Sequence, residues 1–334
     1  MQLPNTGGMN WAFVLDGQGG GRTPEPAELA GGGSLEAPLW VHLDRTDAES
    51  VAWIKGEARL PDGVAAALLA EETRPRALRV EDGILLVLRA VNLNPGATPD
   101  DMIAIRLWVQ AGRAITLRQR KLKTTLGIKT QLEQGQGPKA VGEFLLRLVD
   151  GIVDRIEESL ENLLDLTDDL EERASGNDLQ LVRRQLTEVR GQIVSLYRHL
   201  SPQRQVLAGL PKQDVSWLDD HQRTEFREVS ERAIRLVEEL DALRERGKVI
   251  SDEIGHQLNE VLNQRMYVLS LTAALFLPLS LLAGIMGANV GGIPWAENEH
   301  GFWVLCGILL AATALCMVAL WAMGWIGPGR SKGS

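Results

Sequence analysis

From residue 266 to residue 296 the chain carries no charged side chain. A run of that length crosses a bilayer as a single helix, for which roughly 20 apolar residues suffice. It is not uniformly apolar. Asn263, Ser270, Ala273, Ser280, Gly284 and Gly287 recur at spacings near three, four and seven, and so share one helical face. Leu269, Leu271, Leu275, Leu279 and Leu282 spread over the rest of the surface. A seam of small and polar residues in a membrane helix calls for another helix or water opposite it, since lipid satisfies neither its packing nor its hydrogen bonds. The run ends in Gly287-Ala288-Asn289, followed by Val290-Gly291-Gly292-Ile293-Pro294.

A second uncharged run, residues 302–325, predicts a second membrane helix. Trp295, Phe302 and Trp303 flank one end and Trp321 and Trp325 the other, as interfacial aromatic belts do. The loop between the two runs holds Glu297, Glu299 and His300 and no Lys or Arg, while Arg265, Arg330 and Lys332 lie on the far sides. The positive-inside rule therefore puts both termini in the cytoplasm and the acidic loop outside. The amino terminus shows no basic segment followed by an apolar one, so no signal peptide is read there. Cys306 and Cys316, the two cysteines, both fall in the second run and are read as packing residues. They exclude a disulfide framework, and no CxxC or Cys/His spacing indicates a zinc site.

The first 265 residues read as soluble protein. A formal net charge of −9 argues against a nucleic-acid surface and is compatible with a domain that concentrates cations. Strand patterns appear at residues 11–16, 39–43, 83–92, 103–109 and 114–118, with helical spacing over 47–57 and 61–72. Asn94-Pro95-Gly96-Ala97 marks a turn. The glycine-rich segments at 17–21 and 31–34 lack the Lys-Ser or Lys-Thr of a phosphate loop and read as linker. His42 reads as a packed strand residue. The fold class is α/β or α+β, with residues 1–137 as a cytoplasmic domain.

After Pro138 the period becomes helical. Residues 139–174 predict a long amphipathic helix with an acidic outer face, and 179–199 a returning helix richer in arginine, so the two charged faces are expected to pair. Pro202 and Pro211 read as the next turn, which closes a helical hairpin over 138–218. From about residue 219 nothing stops a helix before Pro278, and Phe226, Val229, Ala233, Leu236, Leu240 and Leu243 keep a heptad-like seam. Continued to Gly284, such a helix has about 66 residues and a length of roughly 100 Å. The expected organisation is thus a stalk over 219–265, a first span over 266–287, an outer loop over 288–301, a second span over 302–325 and a cytoplasmic tail over 326–334.

Two helices do not enclose a pore, so the seam requires several chains. Identical chains related by rotation turn each seam residue into a ring. Asn263 then rings the cytoplasmic mouth and Asn289 the outer mouth. Amide carbonyls suit a hydrated cation without burying charge. Met266 and Leu277 form apolar rings suited to gating by dewetting. Glu297, Glu299 and His300 attract cations outside, and Asp252 and His256, one turn apart on the stalk, are a candidate metal pair.

Phe276-Leu277-Pro278-Leu279 followed by Ala283-Gly284-Ile285-Met286-Gly287-Ala288-Asn289 resembles the CorA family of divalent-cation transporters, which carries Gly-Met-Asn at the outer end of its first membrane helix. Ala288 in place of that Met, with Val290-Gly291-Gly292-Ile293-Pro294 after it, is similar to the zinc-moving ZntB branch, as are Thr73-Arg74-Pro75-Arg76 and Asn92-Leu93-Asn94-Pro95-Gly96 upstream. The resemblance implies a funnel-shaped homopentamer in the bacterial inner membrane, with signature roles for Gly287 and Asn289 and pore-facing positions at Asn263, Met266, Leu277 and Ser280. It implies no cofactor and no enzymatic activity; the partners are divalent cations, the bilayer and further copies of the chain.

Zinc stripped of water favours nitrogen and sulfur ligands, and the seam has neither Cys nor His. Zinc is therefore expected to pass largely hydrated, with Ni2+, Co2+ and Cd2+ tolerated and Mg2+ in doubt. Two alternatives stay open at this point: a magnesium/cobalt channel, and a membrane-anchored coiled-coil scaffold or sensor. Passive flow is the simplest reading of spans without carboxylates, whereas the resemblance points to proton-coupled uptake.

Overall fold

The structure, a computed structural model, describes residues 11–29, 37–98, 100–174, 176, 178–288, 293–294, 298–323 and 325. In chain order the elements are β1 (Trp11–Leu15), β2 (Gly21–Arg22), α1 (Pro26–Leu29), β3 (Leu39–Asp44), α2 (Ala48–Lys55), α3 (Asp62–Leu69), β4 (Arg76–Val80), β5 (Gly83–Ala90), β6 (Ile103–Gln110), β7 (Arg113–Arg118), α4 (Lys123–Glu133), α5 (Val141–Arg173), α6 (Leu179–Gly209), α7 (Asp220–Met286) and α8 (Gly301–Ala322). The chain divides into two compact units, residues 1–251 and 252–334, and α7 contributes to both.

The first unit is built on a mixed sheet of order β2-β1-β3-β7-β6-β5-β4. Only β3 and β7 pair in parallel among the described strands. Both sheet faces are covered, which explains why β5, β6 and β7 read as nearly continuous apolar runs. On one face Val41, Leu43, Leu85, Ile115 and Leu117 join Ile54 of α2 and Val64 and Leu68 of α3 in one core. On the other, Trp40 meets Phe144 of α5 with ring centroids 4.8 Å apart.

His42 lies on this second face and is fully buried, as the strand pattern implies. Its Nδ1 is 2.7 Å from Thr116 Oγ1, and its ring stacks on Trp11 at 4.3 Å. Burial, and then the Arg118 guanidinium, push its pKa down to about 3.

Two expectations need correction. Pro202 does not break the helix: α6 runs through it to Gly209. The next residue holds the helix to the sheet, since Gln203 Nε2 donates to Arg89 O at 3.0 Å and Gln203 Oε1 accepts from Arg89 N at 2.6 Å. The β4 partner row stops at Arg76 opposite Val87, so this side chain continues the ladder where the strand has ended. Nor, among the described residues, does the acidic face of α5 form ion pairs with α6. It pairs with α7, through Arg232 to Asp150 at 2.9 Å and Asp154 at 2.6 Å, and through Arg246 to Asp168 and Glu171. Arg183, Arg184 and Arg198 of α6 are exposed, because the stripe α6 turns inward is apolar: Val182, Leu186, Val189, Ile193, Leu196.

The start of α7 is fastened to the sheet. Asp82, in the turn between β4 and β5, accepts hydrogen bonds from Ser216 N at 2.7 Å and Ser216 Oγ at 2.5 Å, and its carbonyl accepts from Trp217 Nε1 at 2.7 Å. Arg223 in the first turn of α7 donates to the carbonyls of Pro211, Gln213 and Val215.

Candidate functional site

Among the described residues, two helical stretches are long and apolar enough to cross a membrane, the end of α7 and the whole of α8, and both lie in the second unit. α7 is one continuous helix of 67 residues, the length the sequence implies, and Pro278 sits inside it. Over residues 266–286 the partly covered positions of α7 form one stripe: Leu271, Ala274, Leu275, Leu279, Leu282 and Met286. On α8 the covered stripe is Leu305, Leu309, Ala312, Cys316 and Leu320, the last only 6% exposed. Both repeat at intervals of three and four, as two helices in contact require. Tyr267 meets Trp325 at 6.4 Å.

At about 100° per residue, Asn263, Met266, Ser270, Ala273, Leu277, Ser280, Gly284 and Gly287 lie on the side of α7 opposite the covered stripe. All of them are exposed in the single chain, Met266 at 59% and Leu277 at 68%. Nothing lies within 4 Å of where a Cβ on Gly284 would stand, so contacts inside the chain do not require glycine there. Gly287 differs: a Cβ would be 3.1 Å from Ala283 O, and its N–H donates to that carbonyl at 2.9 Å to finish the helix. The threonine hydroxyls of the spans are taken up locally, Thr272 by Val268 O at 2.8 Å and Thr313 by Leu309 O at 2.7 Å. On the seam itself, the polar side chains facing outward are Asn263, Ser270 and Ser280.

Asn289 and Glu297 lie outside the described residues. Glu299 and His300 are exposed just before α8, and Asn298 Oδ1 accepts from His300 N at 2.9 Å. Asp252 and His256 are both exposed, one turn apart on α7. Among the described residues, no three or more His, Cys, Asp or Glu side chains gather where they could hold a metal ion. The chemistry available is therefore that of amide, hydroxyl and backbone oxygens along a helix face, which suits a hydrated cation in transit and not a dehydrated one at rest.

Sequence reasoning did not single out the arginines at one end of the sheet, where Arg106 is 1% exposed. The visible signal was an Arg inside the otherwise apolar strand Ile-Ala-Ile-Arg-Leu-Trp-Val, at a row that the fold buries.

Comparison with known proteins places most of the chain. The family model described as "CorA-like Mg2+ transporter protein" matches residues 36–323. The divalent cation transporter CmaX of Pseudomonas aeruginosa is 36% identical over 302 residues, covering 90% of this chain and 91% of that one. The full-length CmaX structure superposes with a TM-score of 0.82 at 34% identity, over 96% of this chain and all of that one. The zinc transport protein ZntB of Yersinia enterocolitica is 35% identical over 300 residues, 90% of each chain. The complete CorA magnesium transporter of Methanocaldococcus jannaschii shares the fold at a TM-score of 0.78 and 19% identity, covering 95% of this chain and 99% of that one.

Proposed function

This chain belongs to the CorA-like family of divalent metal cation transporters, and from that premise we propose that it carries zinc across the bacterial inner membrane through an axial conduit lined by α7 in a homopentamer. One observation carries the reading: the small and polar seam of α7 lies opposite the partly covered stripe of the same helix, exposed along its whole length in the single chain. Lipid is a poor partner for Asn and Ser and a poor filler beside Gly and Ala. Further copies, arranged around the seam, supply the missing surface.

In that arrangement Asn263 and Asn289 ring the two mouths, Ser280 offers hydroxyls between them, and Met266 and Leu277 form the apolar constrictions. Gly287 ends the helix so that Asn289 can face the outer entrance, where Glu297, Glu299 and His300 raise the local cation concentration. Both termini face the cytoplasm. The ion keeps most of its water, so Ni2+, Co2+ and Cd2+ compete with Zn2+. The same lack of soft ligands leaves Mg2+ as the second cargo to test. Asp252 and His256 form a secondary contact for the ion inside. The work is movement of an ion, with no bond made or broken in a substrate.

The test is metal-resolved uptake into liposomes holding the purified protein, with and without a pH gradient. Zn2+ uptake slowed by Ni2+, Co2+ or Cd2+ is the expected result, and a response to the gradient identifies proton coupling. Asn289→Ala should abolish uptake with assembly intact. Undiminished uptake in that variant would take the Asn289 ring out of the pathway, and no protein-dependent uptake by the wild type would leave a membrane-anchored scaffold.

A further inference from the structure

One end of the sheet face that carries α2 and α3 collects four guanidinium groups. The strand register sets Leu43, Leu117, Arg106, Val87 and Arg76 in a single row. Arg89, two residues beyond Val87 on β5, shares that face. Arg45 follows β3 directly, with its N–H bonded to Arg118 O at 2.8 Å. α3 ends at Leu69, and beyond it the 70–76 loop supplies the acceptors at this end of the face.

Those acceptors are carbonyls. Arg106 Nη2 donates to Ala70 O at 3.0 Å, and Arg45 Nη1 donates to the same atom at 3.3 Å and to Leu69 O at 2.8 Å. One cation at the carboxyl end of α3 is ordinary capping. Two guanidinium groups sharing one carbonyl repel each other. Arg89 is held by Thr73 O at 3.0 Å, Met102 O at 3.1 Å and the Thr73 hydroxyl. The nearby carboxylates are Glu72, exposed and 3.6 Å from Arg76, and Asp101, already bonded to Arg120. Among the described residues, Arg106 Nε and Nη1 and Arg45 Nε are buried without a hydrogen-bond partner. Burial, and then Arg45, Arg89 and Arg76, push the Arg106 pKa down to about 10.

A buried guanidinium with two donor nitrogens unmet among like charges is destabilising on both counts. An oxyanion corrects both, because its paired oxygens fit the guanidinium fork and its charge offsets the cluster. We propose that this end of the sheet binds a phosphate-type oxyanion, free or carried on a nucleotide, with Arg106 and Arg45 as inner ligands and Arg76 at the rim. The inner nitrogens are closed to solvent, so the ion enters by displacing the 70–76 loop.

The experiment uses the full chain in lipid nanodiscs. Thermal unfolding and calorimetric titration are run with inorganic phosphate, sulfate, ATP and chloride at matched ionic strength. Phosphate and sulfate should raise the unfolding midpoint and chloride should not. Arg106→Met should remove the effect, and Arg76→Gln should weaken phosphate binding about tenfold. If Arg106→Met fails to fold, Arg45→Gln carries the comparison, with a loss of about tenfold or more. ATP binding more tightly than phosphate assigns the nucleotide source, and equal or weaker ATP binding assigns the free ion. The site is refuted by no response to phosphate in the wild type, by equal responses in wild type and inner variants, or by a chloride response matching that of phosphate.

Discussion

Gly83 opens β5 directly against the Trp108 ring. A Cβ built there stands 2.3 Å from Trp108 Cη2, far inside contact distance. The indole is 2% exposed, with core on its other side, so it has little room to retreat. Gly83→Ala should therefore destabilise the cytoplasmic unit by about 1–3 kcal/mol, read as a lower thermal unfolding midpoint with metal transport rates unchanged in the surviving folded protein. His42 tests burial in a different way. Its folded pKa of about 3 lies below the ordinary imidazole value of 6.5, so between those values the unfolded chain takes up a proton that the folded chain refuses. Stability is full above about pH 6.5 and falls on acidification, by up to about 1.4 kcal/mol per pH unit. His42→Asn should flatten that slope, and unfolding midpoints compared at neutral and mildly acidic pH measure it. An equal slope in the variant would assign the acid sensitivity to other groups. The packed role of His42 was legible from its place in an apolar run. The crowding at Gly83 was not, because strand register decides which side chain a glycine meets: here Trp108, 25 positions away.

At the scale of elements, sequence patterns were informative where a face was apolar and poor where polar groups did the packing. α7 and the spans announced themselves by period and by lack of charge. α4 did not, since the inward residues Thr124, Thr125, Ile128 and Leu132 include two threonines and leave a weak stripe. β4 was missed for a similar reason: as an edge strand with Arg76 and Arg79, it shows no buried alternation. Charge pairing was misassigned because opposite charge on neighbouring helices says nothing about which third helix lies closer. The Arg232 and Arg246 pairs with α5 are partly exposed, Arg232 at 31% and Asp154 at 52%, and each is worth about 1 kcal/mol or less. They set the register of α7 on α5 more than they stabilise it. Gln203 is the stronger fastening. It is 2% exposed and satisfies both the N–H and the C=O of Arg89, so Gln203→Leu leaves two backbone groups unmet. Its expected effect is a loss of about 1–3 kcal/mol, and Gln203→Glu, which in its protonated form still accepts from Arg89 N and donates to Arg89 O at the cost of neutralising the acid, should fall between the two. Unfolding midpoints ordered wild type, Glu, Leu are the check. A Leu variant as stable as wild type would mean that α6 packs there without the hydrogen bonds.

At the scale of the whole molecule the question is what meets the seam of α7. A lone chain presents Asn263, Ser270, Ser280 and Gly284 to whatever surrounds it, while the lipid-compatible residues of α8, such as Leu310 and Leu315, are just as exposed at 72% and 71%. Exposure in one chain therefore does not separate water from lipid, and chemistry has to. Single cysteines at positions 280 and 284, in a chain with Cys306→Ala and Cys316→Ala, should react with a charged, membrane-impermeant thiol reagent. Thiolate is the reactive form, and it forms only where water solvates it. Cysteines at 310 and 315 should resist that reagent and yield only to a lipid-soluble one. Zn2+ should slow labelling at 280, because ion and reagent compete for one conduit. Mild oxidation at 284 should link neighbouring copies, since a small residue on the inner face lets helices approach closely. The opposite pattern, with 315 reactive to the charged reagent and 280 silent, would put the seam against acyl chains. Ser270 and Ser280 would then be buried polar groups without partners in hydrocarbon, a configuration that membrane helices avoid because each unmet group is destabilising by several kcal/mol.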